Sequence, residues 1–193
     1  SSIEYLDWIE PHKQEPLTSY VKRISGPISD SDENILVGHS FGGVVSQEIF
    51  NIKTIKKVML ISSIRSRQEL PSSFKISRIL GAHRFLTKKL MLATFPFWAK
   101  EHGFSSEEEQ QLFREMVSSY SNRYHKWAIR RLSEWESFYE IPSDRIVQIH
   151  GKKDLTFPIK IIQAPNYVLE EGDHFMLYHH AKKLSKIIQQ ELS

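Results

Sequence analysis

Residues 35–45 read Ile-Leu-Val-Gly-His-Ser-Phe-Gly-Gly-Val-Val, and this stretch decides the fold of the chain. It predicts a short apolar strand, a Gly-x-Ser-x-Gly turn and a helix that begins near Phe41. A turn this sharp lifts the hydroxyl of Ser40 clear of the sheet, where a base can reach it, but it strains the serine backbone. The helix N-terminus beneath Ser40 favours negative charge that develops there.

The glycines around Ser40 fit this interpretation. We expect Gly38 and Gly42 to relieve crowding because they carry no Cβ, and Gly43 to let the helix pack closely on the strand. A glycine-rich strand-to-helix turn with an incidental serine has the same local pattern. The rest of the chain must therefore distinguish the two interpretations.

Two later segments supply a carboxylate and an imidazole. Residues 145–151 form a strand-like run that is followed by Asp154, and residues 166–169 form another that is followed by His174. Both side chains come after strands, so we expect them at the same carboxyl edge of the sheet as Ser40. The chain order is then nucleophile, acid, base.

These motifs resemble the α/β-hydrolase family, specifically its small, lidded, esterase-like members, over nearly the whole chain. Residues 38–43 match the nucleophile elbow, residues 150–154 the acid loop His-Gly-x-x-Asp, and residues 172–175 the histidine loop. The resemblance implies an α/β fold with a doubly wound, mostly parallel sheet and a helical lid.

The resemblance also implies the roles of individual residues. Ser40 is the expected nucleophile, His174 the general base and acid, and Asp154 the carboxylate that orients His174. The backbone N–H of Phe41 is one expected oxyanion donor. Serine at position 40 argues against the dehalogenases of this family, which have aspartate there.

Neighbouring carboxylates are weaker candidates for the acid. Asp173 adjoins His174, but consecutive side chains diverge, so we expect a hydrogen bond within its own loop. Asp144 precedes its strand and is predicted at the opposite end of the sheet.

The remaining histidines suggest supporting roles. The side chain of His39 should point away from Ser40, which favours packing or support over catalysis. His150 is expected to shape the acid loop, and His179 and His180 to lie on the final helix. No His-Glu-x-x-His pattern is present, so we predict no metal and no cofactor.

The chain organisation predicts a core that is interrupted once. Residues 3–8 alternate like a strand, residues 17–24 predict a helix, and residues 57–62 predict a buried strand. A final helix is expected over residues 176–192, with one apolar stripe. The members of that stripe are Leu177, Ala181, Leu184, Ile188 and Leu192.

Residues 68–139 contain helical patterns and no convincing strand, and we predict them as a lid inserted into a core of residues 1–67 and 140–193. Ser106 and Glu109 have the spacing of a capping box. One apolar helical stripe comprises Tyr124, Trp127, Ala128, Leu132, Trp135 and Phe138. Further apolar side chains could line an acyl pocket or simply pack the lid: Leu90, Met91, Phe95, Phe97 and Trp98.

Composition narrows the function class. The 193 residues carry a net charge of +3 with scattered basic pairs, which does not suggest a nucleic-acid partner. There is no cysteine, and no apolar run reaches the ~18 residues of a membrane span. We therefore expect a cytoplasmic protein with a small-molecule acyl substrate, without nucleic acid and without stable membrane association.

One part of the family pattern is not found. The second oxyanion amide normally follows an earlier central strand, and nothing before Asn34 supplies it. The sequence suggests that a unit of roughly 30 residues is missing, and we expect an upstream segment to provide the strand. Loss of one oxyanion donor costs on the order of 10² to 10³ in rate.

The leading interpretation is a serine hydrolase that cleaves a carboxylic ester or thioester through an acyl-enzyme on Ser40. The alternative is a non-catalytic binding or receptor protein on the same fold. The sequence gives little support to a third alternative, a nucleotide-binding protein, because residues 38–43 lack the Gly-Lys-Ser/Thr of a P-loop.

Overall fold

A computed structural model describes residues 3–31, 33–81, 85, 87–137 and 139–192. Within these residues, four parallel strands form one sheet in the order β1-β2-β3-β4. They are β1 (Ile35–His39), β2 (Lys57–Ile61), β3 (Ile146–Gly151) and β4 (Tyr167–Leu169). Val37 pairs with Met59, and Met59 pairs with Val147, so the carboxyl ends of neighbouring strands lie side by side.

Helices connect and flank these strands. The helices are α1 (Leu17–Ile24), α2 (Phe41–Phe50), α3 (Ser72–Ile79), α4 (Lys88–Trp98), α5 (Glu107–Ser118), α6 (Asn122–Glu134), α7 (Met176–His179) and α8 (Ala181–Leu192). Within the described ranges, no helix combines the length and apolar character needed to cross a membrane. The alternation of strands and helices is the predicted doubly wound α/β arrangement.

The two central strands, β2 and β3, are buried on both faces, which explains the continuous apolar run of β2. Val58 and Leu60 pack on one face with α1, α2 and α6, whereas Met59 and Ile61 pack on the other with α7 and α8. Successive side chains of a strand point to opposite faces, so a strand covered on both sides favours apolar residues at consecutive positions.

Local sequence signals determine where two helices begin in residues 68–139, the helical segment. Ser106 accepts a hydrogen bond from the Glu109 amide, and the Glu109 carboxylate accepts from the Ser106 amide, so α5 begins with the predicted capping box. Ser121 caps α6 through one hydrogen bond, which its hydroxyl accepts from the Tyr124 amide. The predicted stripe is buried at Tyr124, Trp127 and Leu132 of α6 and at Trp135, which follows the helix, while Phe138 lies outside the described residues.

The prediction of a strand over residues 3–8 is wrong. This segment has no regular structure, and Ile3 and Tyr5 are 84% and 90% exposed. The segment is held by side chains instead, because the Tyr20 hydroxyl bonds both the N–H and the carbonyl of Ile9. Within the described ranges β1 pairs with β2 alone.

The prediction of one continuous final helix is also wrong. His180 adopts φ −127° and ψ 29°, which separates the short helix α7 from α8. Leu184 and Ile188 face the sheet as expected, but Leu177 and Leu192 are exposed. The apolar stripe therefore holds only at Leu184 and Ile188 of α8.

Candidate active site

Ser40 lies between β1 and α2 with φ 52° and ψ −122°. Positive φ is uncommon for a residue with a side chain, and such strain persists only where the surroundings enforce it. The turn is fixed by its neighbours, because the Ser40 amide donates to the Ile61 carbonyl at 3.0 Å and the Ser63 hydroxyl donates to the Ser40 carbonyl at 2.7 Å.

Two of the three elbow glycines are sterically required. A Cβ on Gly38 would lie 2.4 Å from the carbonyl oxygen of Gly42, and one on Gly43 would lie 2.4 Å from Ser63 Oγ. The expectation for Gly42 is wrong, because a Cβ there would meet only Trp8 Cζ2 at 3.7 Å, an ordinary contact. The crowding is relieved at Gly38, which approaches the backbone of Gly42.

The structure brings the three predicted catalytic residues together from three separate loops. The Ser40 Oγ lies 3.0 Å from Nε2 of His174, and Nδ1 of His174 lies 3.0 Å from Oδ2 of Asp154. An ionised carboxylate can only accept hydrogen bonds, so Nδ1 carries the ring proton. Nε2 is then free to accept the proton of the Ser40 hydroxyl, which is the arrangement that a general base requires.

Asp154 is buried and is stabilised as a carboxylate. Its Oδ1 accepts hydrogen bonds from the amides of Thr156 and Phe157, both at 2.8 Å. Burial raises the pKa of the Asp154 carboxyl, but the hydrogen bond and charge of His174, together with the Phe157 amide, leave that pKa below its ordinary value. Asp154 is therefore an anion at neutral pH.

His150 shapes the acid loop, as the sequence suggested. Its Nε2 lies 2.7 Å from the carbonyl oxygen of Phe157 and 3.5 Å from Oδ2 of Asp154. The carbonyl can only accept, so Nε2 carries a proton and closes the loop over residues 150–157. Burial lowers the pKa of His150 and keeps its ring neutral.

The ring of His39 reaches the base loop, residues 172–175, which carries His174. Its Nε2 lies 2.7 Å from the carbonyl oxygen of His174. Burial, with a smaller effect from the charge of His174, lowers the pKa of His39 to about 4.

Asp173 is a loop hydrogen bonder, in agreement with the expectation. Its Oδ1 accepts from the Phe175 amide at 2.7 Å, and its Oδ2 lies 2.6 Å from Nδ1 of His179. The other ring nitrogen of His179 lies 3.8 Å from Glu109 at the start of α5. The base loop and the helical segment thus meet at His179. Asp144 precedes β3, at the far end from this loop.

Aromatic rings surround the three residues. The ring centroids of His174 and Phe157 are 5.5 Å apart, and Phe157 stacks on Phe74 of the helical segment. On the other side, Phe41 stacks on Trp8 at 5.8 Å and contacts Trp127 of α6 edge-on at the same distance. The Phe41 amide belongs to the first turn of α2, where N–H groups have no partner within the helix.

The apolar side chains of α4 divide between packing and exposure. Phe95 is fully buried in a cluster with Phe113 and Phe104, whereas Phe97 is 86% exposed. Leu90 is exposed, and Met91 and Trp98 pack at the edge of the Phe95 cluster. An open groove of about 760 Å³ lies along α5, and its lining includes none of the three predicted catalytic residues. An acyl pocket beside Ser40 stays a prediction.

Sequence reasoning missed residues that support the site from a neighbouring strand. Ser63 follows β2 and holds the Ser40 carbonyl, and the Gln148 side chain of β3 donates to the Ser63 carbonyl at 2.9 Å. The signal available in the sequence was the polar Gln148 between the apolar residues Val147 and Ile149 of a buried strand.

Comparisons with known proteins give the fold. No family model and no curated protein sequence matches the chain. Among solved structures, an esterase from Exiguobacterium antarcticum is similar over 92% of this chain and 74% of its own, with a TM-score of 0.62 and 16% identity. An epoxide hydrolase from Bacillus megaterium is similar over 95% of this chain and 78% of its own, with a TM-score of 0.64 and 12% identity.

A thermophilic esterase from Thermogutta terrifontis is also similar, over 92% of this chain and 72% of its own, with a TM-score of 0.62 and 14% identity. The parallel sheet, the strained turn at Ser40 and these likenesses lead to the same assignment. The chain has the α/β-hydrolase fold.

Proposed function

We propose that this protein is a serine hydrolase that cleaves a carboxylic ester or thioester through an acyl-enzyme on Ser40. The observation that carries the proposal is the strained serine whose hydroxyl lies 3.0 Å from an imidazole that is itself 3.0 Å from a buried carboxylate. Serine is a weak nucleophile until an adjacent base removes its proton, and this geometry provides the base and its orienting group. The esterases among the structural neighbours are consistent with this reaction class.

The proposed reaction has two halves. Ser40 Oγ bonds to the substrate carbonyl carbon while its proton passes to Nε2 of His174 and the carbonyl electron pair moves to oxygen. The tetrahedral intermediate collapses, the bond to the leaving alcohol or thiol breaks, and Nε2 returns the proton to that group. Water, deprotonated by His174, then attacks the acyl-enzyme and releases the acid, and Ser40 regains its proton.

The surrounding charges support each step. Asp154 is held as an anion beside Nδ1, so it stabilises the imidazolium that forms when His174 takes the proton. The amide of Phe41, at the N-terminus of α2, supplies one donor to the oxyanion. The low exposure of Asp154 and His174, 2% and 6%, strengthens these electrostatic interactions.

Residues 68–139 act in this proposal as a lid on a core of residues 1–67 and 140–193. Three ring contacts support the assignment, because each joins the helical segment to a residue adjoining the predicted site: Phe74 with Phe157, Phe104 with Phe175, and Trp127 with Phe41. Such a lid would exclude water and provide apolar surface to the acyl group.

A fluorophosphonate probe tests the proposal, because it labels only an activated serine. We expect labelling of the wild-type protein, none of Ser40→Ala, and undiminished labelling of Ser46→Ala, a buried serine of α2 that serves as the matched control. Hydrolysis of short-chain and medium-chain p-nitrophenyl esters should follow the same order. An unlabelled but folded wild-type protein would overturn the proposal in favour of a binding protein, and labelling that survives in Ser40→Ala would overturn the choice of nucleophile.

A further inference from the structure

His39 joins the strand before the nucleophile to the loop that carries the base. It is the last residue of β1, it precedes Ser40 directly, and its Nε2 lies 2.7 Å from the backbone carbonyl of His174. The two rings also contact each other, with centroids 5.1 Å apart. The same loop residue is thus held twice from the elbow, once through its side chain by Ser40 and once through its backbone by His39.

The chemistry of the two groups fixes the direction of this bond. A carbonyl oxygen can only accept, so Nε2 of His39 carries the proton and donates it. The lowered pKa of His39 means that its ring stays neutral throughout the neutral range. The bond to the His174 carbonyl therefore needs the tautomer of His39 that carries its proton on Nε2.

The other contacts of the base loop fall on the residues beside His174: the Lys153 amide donates to the Gly172 carbonyl at 2.8 Å, and Oδ2 of Asp173 lies 2.6 Å from Nδ1 of His179. The Ser62 hydroxyl reaches the Asp173 carbonyl at 3.4 Å, near the limit of a hydrogen bond. The Asp173 carboxylate bonds the amide of Phe175, two residues further along the same loop. Of the described backbone bonds between the strand ends and residues 173–175, the bond from His39 is the shorter and better formed.

We propose that His39 is a positioning residue for the base. Its Nε2–H holds the carbonyl of His174, and this sets the backbone from which the imidazole reaches both Ser40 and Asp154. The inference rests on the proposed function and deepens it, since it assigns a task to the histidine of the Gly-His-Ser turn. His39 touches neither the substrate nor the transferred proton.

The expected effect is on rate rather than on substrate binding. Misplacement of a reacting group by about 1 Å can cost about 10²-fold in rate. We expect His39→Leu to lower kcat by about 10- to 100-fold while KM changes less than about threefold. His39→Gln restores an N–H donor at a similar reach and should recover most of kcat.

His125→Leu is the matched control. Its Nε2 bonds the carbonyl of Val117 at 2.9 Å, so the same kind of histidine-to-carbonyl bond is lost between α5 and α6. This variant should keep the wild-type kcat even where its thermal unfolding midpoint falls as much as that of His39→Leu. Equal kcat loss in both leucine variants, or no recovery in His39→Gln, would show that His39 is only structural and overturn the proposal.

Nitrogen-15 NMR of the histidine rings adds a readout that does not need activity. We expect His39 as the neutral Nε2–H tautomer at pH 7, and we expect the ring signals of His174 to shift in His39→Leu but not in His125→Leu. An Nδ1–H tautomer of His39, or an unchanged His174 ring, would refute the positioning role. If the wild-type protein shows neither probe labelling nor hydrolysis, the proposed function has failed, and the His174 signals alone then decide the proposal for His39.

Discussion

The elbow glycines allow a sharp test, because Gly42 and Gly43 are consecutive and yet have opposite surroundings. An added Cβ at Gly42 meets only Trp8 Cζ2 at 3.7 Å. An added Cβ at Gly43 would lie 2.4 Å from Ser63 Oγ and 2.6 Å from Ser63 Cβ. Both residues lie in the first turn of α2, so Gly42→Ala and Gly43→Ala form a pair of variants with the same change in composition.

The two variants should change stability in opposite directions. Alanine in a helix is favoured over glycine by about 0.5–1 kcal/mol, so Gly42→Ala should raise the free energy of unfolding by up to that amount. At Gly43, overpacking costs about 1–3 kcal/mol. Rotation of Ser63 out of the clash would also lose its bond to the Ser40 carbonyl, worth about 0.5–1.5 kcal/mol. After the helix gain is subtracted, we expect a net loss of about 1–3 kcal/mol.

Thermal unfolding and esterase activity measure the difference. For a chain of this size 1 kcal/mol shifts Tm by about 2–4 °C, so Gly43→Ala should lower Tm by about 2–12 °C and Gly42→Ala should leave it unchanged or slightly higher. Activity should fall in Gly43→Ala even at temperatures where it is folded, because Ser63 helps to hold Ser40. Equal Tm values for the two variants, or a lower Tm for Gly42→Ala, would refute the steric reasoning.

Two further predictions concern the carboxylate of Asp154 and the neutral ring of His39. Asp154→Asn should lower kcat/KM by about 10³- to 10⁴-fold, measured by ester hydrolysis, because an amide cannot hold His174 in the tautomer that accepts the serine proton. Stability should also fall as the pH drops from about 6.5 towards about 4, since the unfolded chain then binds a proton at His39 that the folded chain, with its lowered pKa, does not. Urea unfolding at pH 7 and pH 5 should show a smaller loss in His39→Gln than in the wild type, and parallel losses would contradict the assignment.

The sequence was sufficient where local chemistry determines structure. The elbow around Ser40, the capping box of α5 and the two strand-loop motifs with Asp154 and His174 each depend on a few consecutive residues. Each motif carries its own backbone requirement, whether a Cβ-free position, a helix start or a turn. The order of these motifs along the chain then placed their side chains at one edge of the sheet.

The sequence was insufficient where structure depends on a partner at a distance. Alternation over residues 3–8 is a strand pattern, but a strand also needs a neighbour for its backbone, and Trp8 packs on Phe41 and Tyr20 instead. The bond from His39 to His174 spans 135 residues and involves a main-chain carbonyl. Every residue has such a carbonyl, so no residue pattern could reveal this acceptor.

The contacts that support the three residues follow one rule, which explains how a small sheet can hold the site rigidly. Each predicted catalytic residue is fixed by a side chain from the end of a strand: Ser40 by Ser63 after β2, His174 by His39 of β1, and the loop of Asp154 by His150 of β3. Parallel pairing brings these strand ends together at one edge. Catalysis by preorganised groups needs the reacting atoms to be held within about 0.5 Å of their working positions. Hydrogen bonds from the strand ends restrain the loops that carry the three residues, because the strands themselves are fixed by the sheet.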